Sequence, residues 1–421
     1  TSHFGYDANG NRSVVVDALG RRSTDTYDCL NRVTSRRLPM GVSEQLEYDG
    51  EGHVIESTDR RGTVRRTTYD VLGRERTQKV VESVSNGGQE LVVLSRTYDD
   101  VPDGEGLVEV AETDARGHTT RRFLDAFKRE VKVRDPLGNE AVTRYDAAVA
   151  RAKRDAEGFV TKLSYDAANR LVLEENYEPT SAARKHFQVI GRDDDALTET
   201  LTDRRGIPAK TWRDGLGRVE KLSRGVSALL QVTATRYDGN GNPVLVTDAN
   251  GHSVESVFDG ANRRIEETRG FGLAEASRTT FKYDGVGNRL EQKNARVTGV
   301  AYDVRESFDD LNRAVRTEDA LGNVAERAFD AGGNKLCEKA PLGGSAIALD
   351  GATGKTWQEL ETLVCAGNHV TRWSYDEQGR QTQIVDAIGG IYSFVYDKAG
   401  NLVARQDPKG NLTSYELDER N

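Results

Sequence analysis

The sequence predicts an all-β protein, an antiparallel ribbon of short hairpins, and three observations carry that expectation. An aromatic residue followed by Asp returns at a near-constant step. An Asp-x-x-Gly signal recurs roughly midway between those dipeptides. The stretches between the two signals are about six to eight residues long and rich in Val, Thr, Tyr and Arg, which is strand length rather than helix length.

The aromatic signal begins at Tyr6, Tyr27, Tyr48 and Tyr69, each followed by Asp, in steps of 21 residues. It continues at Tyr98, Tyr145, Tyr165, Tyr237, Phe258, Tyr283, Phe308, Phe329, Tyr375 and Tyr396, with weaker forms at Phe123-Leu124-Asp125 and Trp212-Arg213-Asp214. A fixed period of this size marks a supersecondary unit that is stable only when stacked on its neighbours. Each ring is large enough to stack on its equivalent one repeat away, so the aromatics are expected to form a ladder along a wall.

The second signal appears in Asp17-Ala-Leu-Gly20, Asp59-Arg-Arg-Gly62, Asp114-Ala-Arg-Gly117, Asp203-Arg-Arg-Gly206, Asp319-Ala-Leu-Gly322 and Asp407-Pro-Lys-Gly410, among others. The aromatic signal carries a Gly of its own, as in Asp70-Val-Leu-Gly73 and Asp397-Lys-Ala-Gly400. The chemistry is that of a turn. Asp accepts a hydrogen bond from the backbone two residues on, the middle residues take type I angles, and Gly supplies the following positive φ. Where Gly is missing, Asn stands in, at Asn31, Asn169, Asn262 and Asn312, because Asn also tolerates the left-handed region.

Between turns lie strands such as Val14–Val16, His53–Thr58, Pro243–Thr247 and Ile391–Tyr396. In the last, Tyr392, Phe394 and Tyr396 share one face and Ser393 and Val395 the other, the alternation of a half-buried strand. Two strands and two turns per period mean that each repeat adds one hairpin to the sheet. Roughly 18 to 20 periods give nearly 40 strands, with open sheet edges at both ends that call for a cap or a neighbour.

Composition fits this reading. A chain of 421 residues has room for about three average domains. The repeat argues instead for one quasi-linear segment over 1–421, its 42 glycines serving turns and its 36% hydrophobic share reflecting a thin wall wet on both sides. The formal charge of −9 disfavours nucleic acid as a partner. No run of 18 apolar residues is present to span a membrane, and no signal segment opens the chain. Cys29, Cys337 and Cys365 are too few and too scattered to suggest a disulfide framework or a zinc cluster.

Tyr6-Asp-Ala-Asn-Gly-Asn11, Thr68-Tyr-Asp-Val-Leu-Gly-Arg74, Thr143-Arg-Tyr-Asp146 and Tyr396-Asp-Lys-Ala-Gly-Asn401, at this step, resemble the YD repeat of the RHS (rearrangement hotspot) proteins over Tyr6 to about Tyr415. The resemblance implies a ribbon that spirals into a hollow shell or open barrel segment. It implies a non-catalytic role, the shell enclosing a toxin or effector for delivery, as in bacterial polymorphic and Tc-type toxins. The partners implied are that toxin domain, the remaining shell segments and a capping or delivery protein, in a secreted or cell-surface setting. Animal teneurins use a similar barrel for adhesion, so a surface module binding glycans or proteins is the alternative. The self-cleaving core segment of full-length members is not recognisable before Asn421, and the chain reads as a fragment.

Lengthened or degenerate repeats are expected near 71–97, 167–211 and 331–374. The last holds Gly351-Ala-Thr-Gly-Lys-Thr356, which has Leu349 where a phosphate loop needs its first Gly, and its flanks read as hairpin strands. The acidic stretch 99–106 and Asp193–Asp195 are oxygen-rich, but neither has EF-hand spacing, so solvated hairpin tips are expected rather than calcium sites. His53, His118 and His252 each follow a turn glycine, where Asn or Arg stands elsewhere. No catalytic, cofactor-binding or metal residue is assigned.

Overall fold

The computed structural model describes residues 1–418 except 82–88, 180–183, 227–229, 296–298, 300, 341–353 and 367. The phosphate-loop candidate at Gly351 to Thr356 therefore lies partly outside the described residues. Among the described residues thirty-five strands, from β1 (His3–Tyr6) to β35 (Leu412–Ser414), form a single sheet. Each pairs antiparallel with the strand before it in sequence, and β1 and β35 have one strand neighbour apiece, so the sheet is open.

Because strands alternate in direction, the two turn signals separate onto the two edges of the ribbon. The aromatic-Asp turns, such as Asp28–Arg32 and Asp259–Arg263, line one edge, and plain turns such as Asp17–Arg21 and Asp248–His252 line the other. At most aromatic turns the register slips at the aromatic itself: Thr26 pairs with Ser35 but Tyr27 with Val33, and Val395 pairs with Ala404 but Tyr396 with Leu402. The extra residue is a β-bulge, which increases local twist and bends the strand. Most plain-turn hairpins keep simple register, as in Val14–Thr24, Val15–Ser23 and Val16–Arg22, while the pairs Glu75–Val81 with Glu90–Asp99 and Leu171–Tyr177 with Arg184–Asp193 each carry one shift. A ribbon bulged along one edge curves.

The curvature brings the chain back onto itself. Residues near 17–63 and 116 of a first coil hydrogen-bond to residues 309–377 and 418 of a second, with partners 288 to 315 residues apart. The accessible surface is 24,834 Å², against about 16,000 Å² for a compact globule of this mass. The excess is what a thin coiled wall requires, since most strand residues are half-buried and few are sealed from water.

One compact apolar core interrupts this pattern. Helix α1 (Trp357–Cys365) lies in the connection between Lys335–Lys339 and Val370–Tyr375 and packs on Val324–Phe329 and Lys335–Lys339. The strand expected after Gly354 is thus a helix, and the reason is local. Thr356 caps its first turn, accepting from Glu359 N while Glu359 returns a carboxylate to Thr356 N, and Leu360 and Val364 fall on one face. Leu360, Val364, Val315, Ala328, Cys337 and Val370 are nearly or fully inaccessible, and Met40 of the first coil joins them.

The cysteine expectation also needs correction. Cys337 and Cys365, 28 residues apart, form a disulfide that ties α1 to the strand beneath it, while Cys29 is free and exposed. Sequence spacing could not reveal the pair, because strand and helix meet only once the ribbon is folded.

Truncating Leu360 to Ala, at 1% exposure, should cost about 3 kcal/mol, and Thr356→Ala about 1 kcal/mol, both read as shifts of the urea unfolding midpoint.

Candidate functional site at the aromatic edge and the seam

The aromatic edge is built from the Asp carboxylate outward. Asp28 Oδ1 accepts from Leu30 N and from Arg32 N, both at 2.9 Å, and Oδ2 accepts from Arg32 Nε at 2.7 Å. The same three bonds recur at Asp70 with Arg74, Asp166 with Arg170, Asp214 with Arg218 and Asp309 with Arg313. The turn is thus held by a carboxylate with both oxygens engaged, and the arginine four residues on is fixed in direction.

That direction leads to the next repeat. Arg32 reaches the Asp49 carbonyl at 3.1 Å, Arg263 that of Asp284 at 2.7 Å and Arg380 that of Asp397 at 3.0 Å. Each guanidinium lies over the next aromatic ring: Arg32 over Tyr48 at 4.5 Å, Arg74 over Tyr98 at 4.1 Å, Arg263 over Tyr283 at 5.1 Å and Arg313 over Phe329 at 5.2 Å. The ladder therefore alternates guanidinium and ring, a cation–π stack, where direct ring-on-ring stacking was expected. Among the described residues the one stacked ring pair is His53 on Tyr69, at 4.6 Å, where His53 stands in for arginine and holds Asp49 through Nδ1 at 2.9 Å.

The hydroxyl of most of these tyrosines explains why Tyr outnumbers Phe at this position. Tyr27 donates to the Arg12 carbonyl at 2.9 Å, Tyr48 to Val33 at 2.8 Å, Tyr69 to Val54 at 2.9 Å and Tyr237 to Val219 at 2.8 Å. These carbonyls lie beside the bulges, beyond the reach of the ladder to the following hairpin, which starts at Val14, Ser35, Glu56 and Lys221 respectively. Tyrosine satisfies an acceptor that the bulge leaves without a strand partner.

The predicted aromatics take the following places. Tyr6 is 63% exposed. Tyr27, Tyr48, Tyr69, Tyr98, Tyr145, Tyr165, Tyr237, Phe258, Tyr283, Phe308, Phe329, Tyr375 and Tyr396 are all half-buried along one edge, spaced along the wall rather than converging on a centre. Asn at the left-handed position has a further role that the turn pattern did not disclose. Asn11, Asn242 and Asn288 each hold their own Asp and donate to the side chain of the next left-handed Asn: Asn31 at 2.8 Å, Asn262 at 2.9 Å and Asn312 at 2.8 Å. Arginine in that rung is followed by Gly at 52, 241, 287, 333 and 400, and asparagine by Asn at 31, 262 and 312, with exceptions at Asn334, followed by Gly379, and Arg129, followed by Ala147. The residue four places after Asp is thus a partial signal.

The seam joins the plain edge of the first coil to the aromatic edge of the second. Arg21 donates to the Asp309 carbonyl at 3.3 Å and to Asn312 Oδ1 at 2.9 Å. Arg61 donates to the Asp376 carbonyl at 2.8 Å with Asp330 3.1 Å from its Nε, and Thr63 donates to the Glu377 carbonyl at 3.0 Å. Arg116 lies 3.4 Å from Asp397. Gly332 admits Arg61, since a Cβ there would stand 2.5 Å from Arg61 Cδ. Asp309, at 1% exposure, is sealed in this joint.

Hydrogen bonding lowers the pKa of several of the turn carboxyls. The Asn11 amide holds the Asp7 carboxyl below the ordinary Asp range, and the guanidinium of Arg129 does the same for Asp125, as does that of Arg263 for Asp259. In the acidic stretch, Asp100 receives both arms of Arg74 at 2.8 Å, and Asp103 caps its own turn through Glu105 N and Leu107 N. Asp194 is held in the same way by Arg170. Among the described residues no group of three or more His, Cys, Asp or Glu is arranged to hold a metal ion, and no helix is long and apolar enough to cross a membrane.

With this geometry in place, comparison with known proteins is specific. The family model of the RHS repeat matches residues 48–83. The chain is 26% identical over 424 residues to double-stranded DNA deaminase toxin A of Burkholderia cenocepacia (strain H111), covering 88% of this chain and 27% of that protein. The crystal structure of TcdB2-TccC3 superposes with a TM-score of 0.61 at 14% identity, over 100% of this chain and 28% of that one. A structure of the Photorhabdus luminescens Tc holotoxin pore gives a TM-score of 0.59 at 12% identity, over 100% and 30%. The chain thus shares the coiled-ribbon fold of these toxin structures and spans less than a third of their length.

Asn262→Gly keeps the left-handed backbone but removes the acceptor for Asn242, and should cost about 1 kcal/mol. Asn262→Ala adds the positive-φ strain and should cost about 1 kcal/mol more, both measured by urea unfolding. Because the folded-state carboxyls are depressed, their stabilisation is complete well above the unfolded value of about 4 and is lost as pH falls through it toward the lower folded values. The melting temperature should be level from pH 7 to about 5 and then drop steadily toward pH 2, with a smaller drop in Asp125→Asn.

Proposed function

We propose that this RHS-repeat chain, residues 1–421, is a single non-catalytic segment of the wall of a shell that holds a toxin or effector polypeptide for delivery. The observation that carries the reading is the seam. A ribbon whose plain edge carries Arg21, Arg61, Thr63 and Arg116 aimed at the turn carbonyls and carboxylates of its own next coil is a means of making a continuous curved surface from one chain. Such a wall acts by exclusion. It separates a polypeptide from proteases and from its target without chemistry of its own, and the edge residues of the ribbon are occupied in holding the wall.

The partners in this reading are the enclosed toxin or effector domain, the remaining wall segments and a capping or delivery protein at the open edges. The relative from Burkholderia cenocepacia is by its name a toxin, and the chain covers 27% of it, which supports a wall segment within a larger toxin-bearing protein. A secreted or cell-surface setting is supported by the Cys337–Cys365 disulfide, since such bonds persist in oxidising compartments.

In the complete gene product, trypsin under native conditions should leave the enclosed polypeptide intact. Negative-stain images of the same preparation should show a hollow particle. Arg61→Ala with Thr63→Ala, which removes three of the seam contacts, should render the enclosed polypeptide cleavable. Cleavage in the unmodified protein at the rate seen for the free polypeptide would overturn the reading.

A further inference from the structure

One place on the seam is fastened by packing rather than by turn hydrogen bonds. In the short turn Pro39–Gly41 of the first coil, Met40 takes a left-handed backbone (φ 65°) and is 8% exposed. Its side chain joins Val315, Ala328, Cys337, Leu360, Val364 and Val370 of the second coil, with Arg313 Nη2 3.7 Å from its sulfur. Met40 is the single methionine of the chain, and its flexible thioether suits an irregular socket.

Two residues of that socket, Leu360 and Val364, belong to α1. A helix of nine residues is too short to hold itself together in water, so its position depends on what anchors its ends. The N-terminal end has the Thr356–Glu359 capping box. The C-terminal end has the bond from Cys365 to Cys337, adjacent to Val364, and a hydrogen bond from Arg372 to the Cys365 carbonyl at 2.7 Å. Cys337 is fully buried on the strand beneath, so the disulfide joins the movable part of the socket to its fixed part.

We propose that the Cys337–Cys365 disulfide is a redox latch on the seam: oxidised, it keeps α1 closed over Met40, and a dithiol reductant releases the helix and loosens the first coil from the second at this point. The chemistry is a thiol–disulfide exchange. A thiolate of the dithiol attacks the sulfur of half-buried Cys365, forming a mixed disulfide, and Cys337 leaves as a thiolate that takes a proton. The second thiol of the reductant then displaces Cys365, so two electrons and two protons pass to the protein and the reductant ends as its own disulfide. The latch stands on the socket geometry; its consequence for an enclosed polypeptide rests on the shell reading above.

Hydrogen exchange of the full chain with and without dithiothreitol tests this. Reduction should speed exchange of amides in 38–42 and 357–365 by about tenfold or more and leave the Arg21 turn unchanged, since local opening is confined to the released unit. Alkylation followed by mass spectrometry should label Cys29 alone before reduction and Cys337 and Cys365 as well after it. The C337S/C365S variant should exchange fast at 38–42 without reductant and respond no further. Unchanged exchange at 38–42 once alkylation has shown both sulfurs free would overturn the latch, as would labelling of all three cysteines before reduction. The reduction experiment on unmodified protein keeps the test decisive if the serine variant does not fold. Its readout needs no enclosed polypeptide, so its failure would leave the trypsin result with Arg61→Ala and Thr63→Ala to judge the shell separately.

Discussion

The carboxylate that opens each turn is the constraint on which the ribbon depends. A hairpin of five or six residues per strand cannot bury enough apolar surface to fix its own geometry. Here the turn is fixed instead by Asp, whose Oδ1 collects two backbone N–H groups and whose Oδ2 orients the residue four places on. Because that residue is Arg or Asn with its direction already set, it meets the next repeat at low entropic cost and carries order from one hairpin to the next. Repetition turns a local hydrogen-bond pattern into a wall.

The two edges of the ribbon divide the work. The aromatic edge is tied rung to rung by guanidinium, ring and hydroxyl, and it carries the bulges that curve the sheet. The two longest connections, including the one that holds α1, fall on the plain edge, where no such ladder has to be kept in step. That edge also presents the arginines that meet the next coil. In a thin sheet with little core, joining coils through directional polar contacts is the available route, since unpaired strand edges and turn carbonyls exposed to water gain little from being left free. The apolar socket around Met40 is the exception, and it exists because an inserted helix supplies the missing layer.

Much of this was legible in residues read one period at a time. The turn chemistry of Asp and Gly and the hairpin period follow from spacing alone, whereas the alternation expected for Ile391–Tyr396 holds only in part, since Tyr392 is exposed and Ser393 half-buried. His53 could be placed as a turn variant because it occupies the arginine position, and it performs part of the arginine's work. The partner of each ring was harder to see. Tyr48 stacks on Arg32 because the Asp28 carboxylate aims that guanidinium across to the next repeat, a contact between repeats that composition does not show. Asn31 and Gly52 look interchangeable as left-handed residues until the preceding rung is known, and only then does the acceptor on Asn31 acquire a donor. Helix α1 was overlooked because its capping box sits in a region read for repeat signals.

By itself the sequence determined the all-β class, the hairpin period, the identity of the turn residues and the thinness of the wall, because these depend on contacts within one or two repeats. Tertiary structure alone decided the meeting of Arg21 with Asn312, of Arg61 with Asp376 and of Met40 with Leu360, and the pairing of Cys337 with Cys365. The coil-to-coil contacts depend on the summed curvature of many hairpins, each adding a small bend, and the disulfide on a helix folding back over its strand. No local pattern encodes where a coil closes on itself.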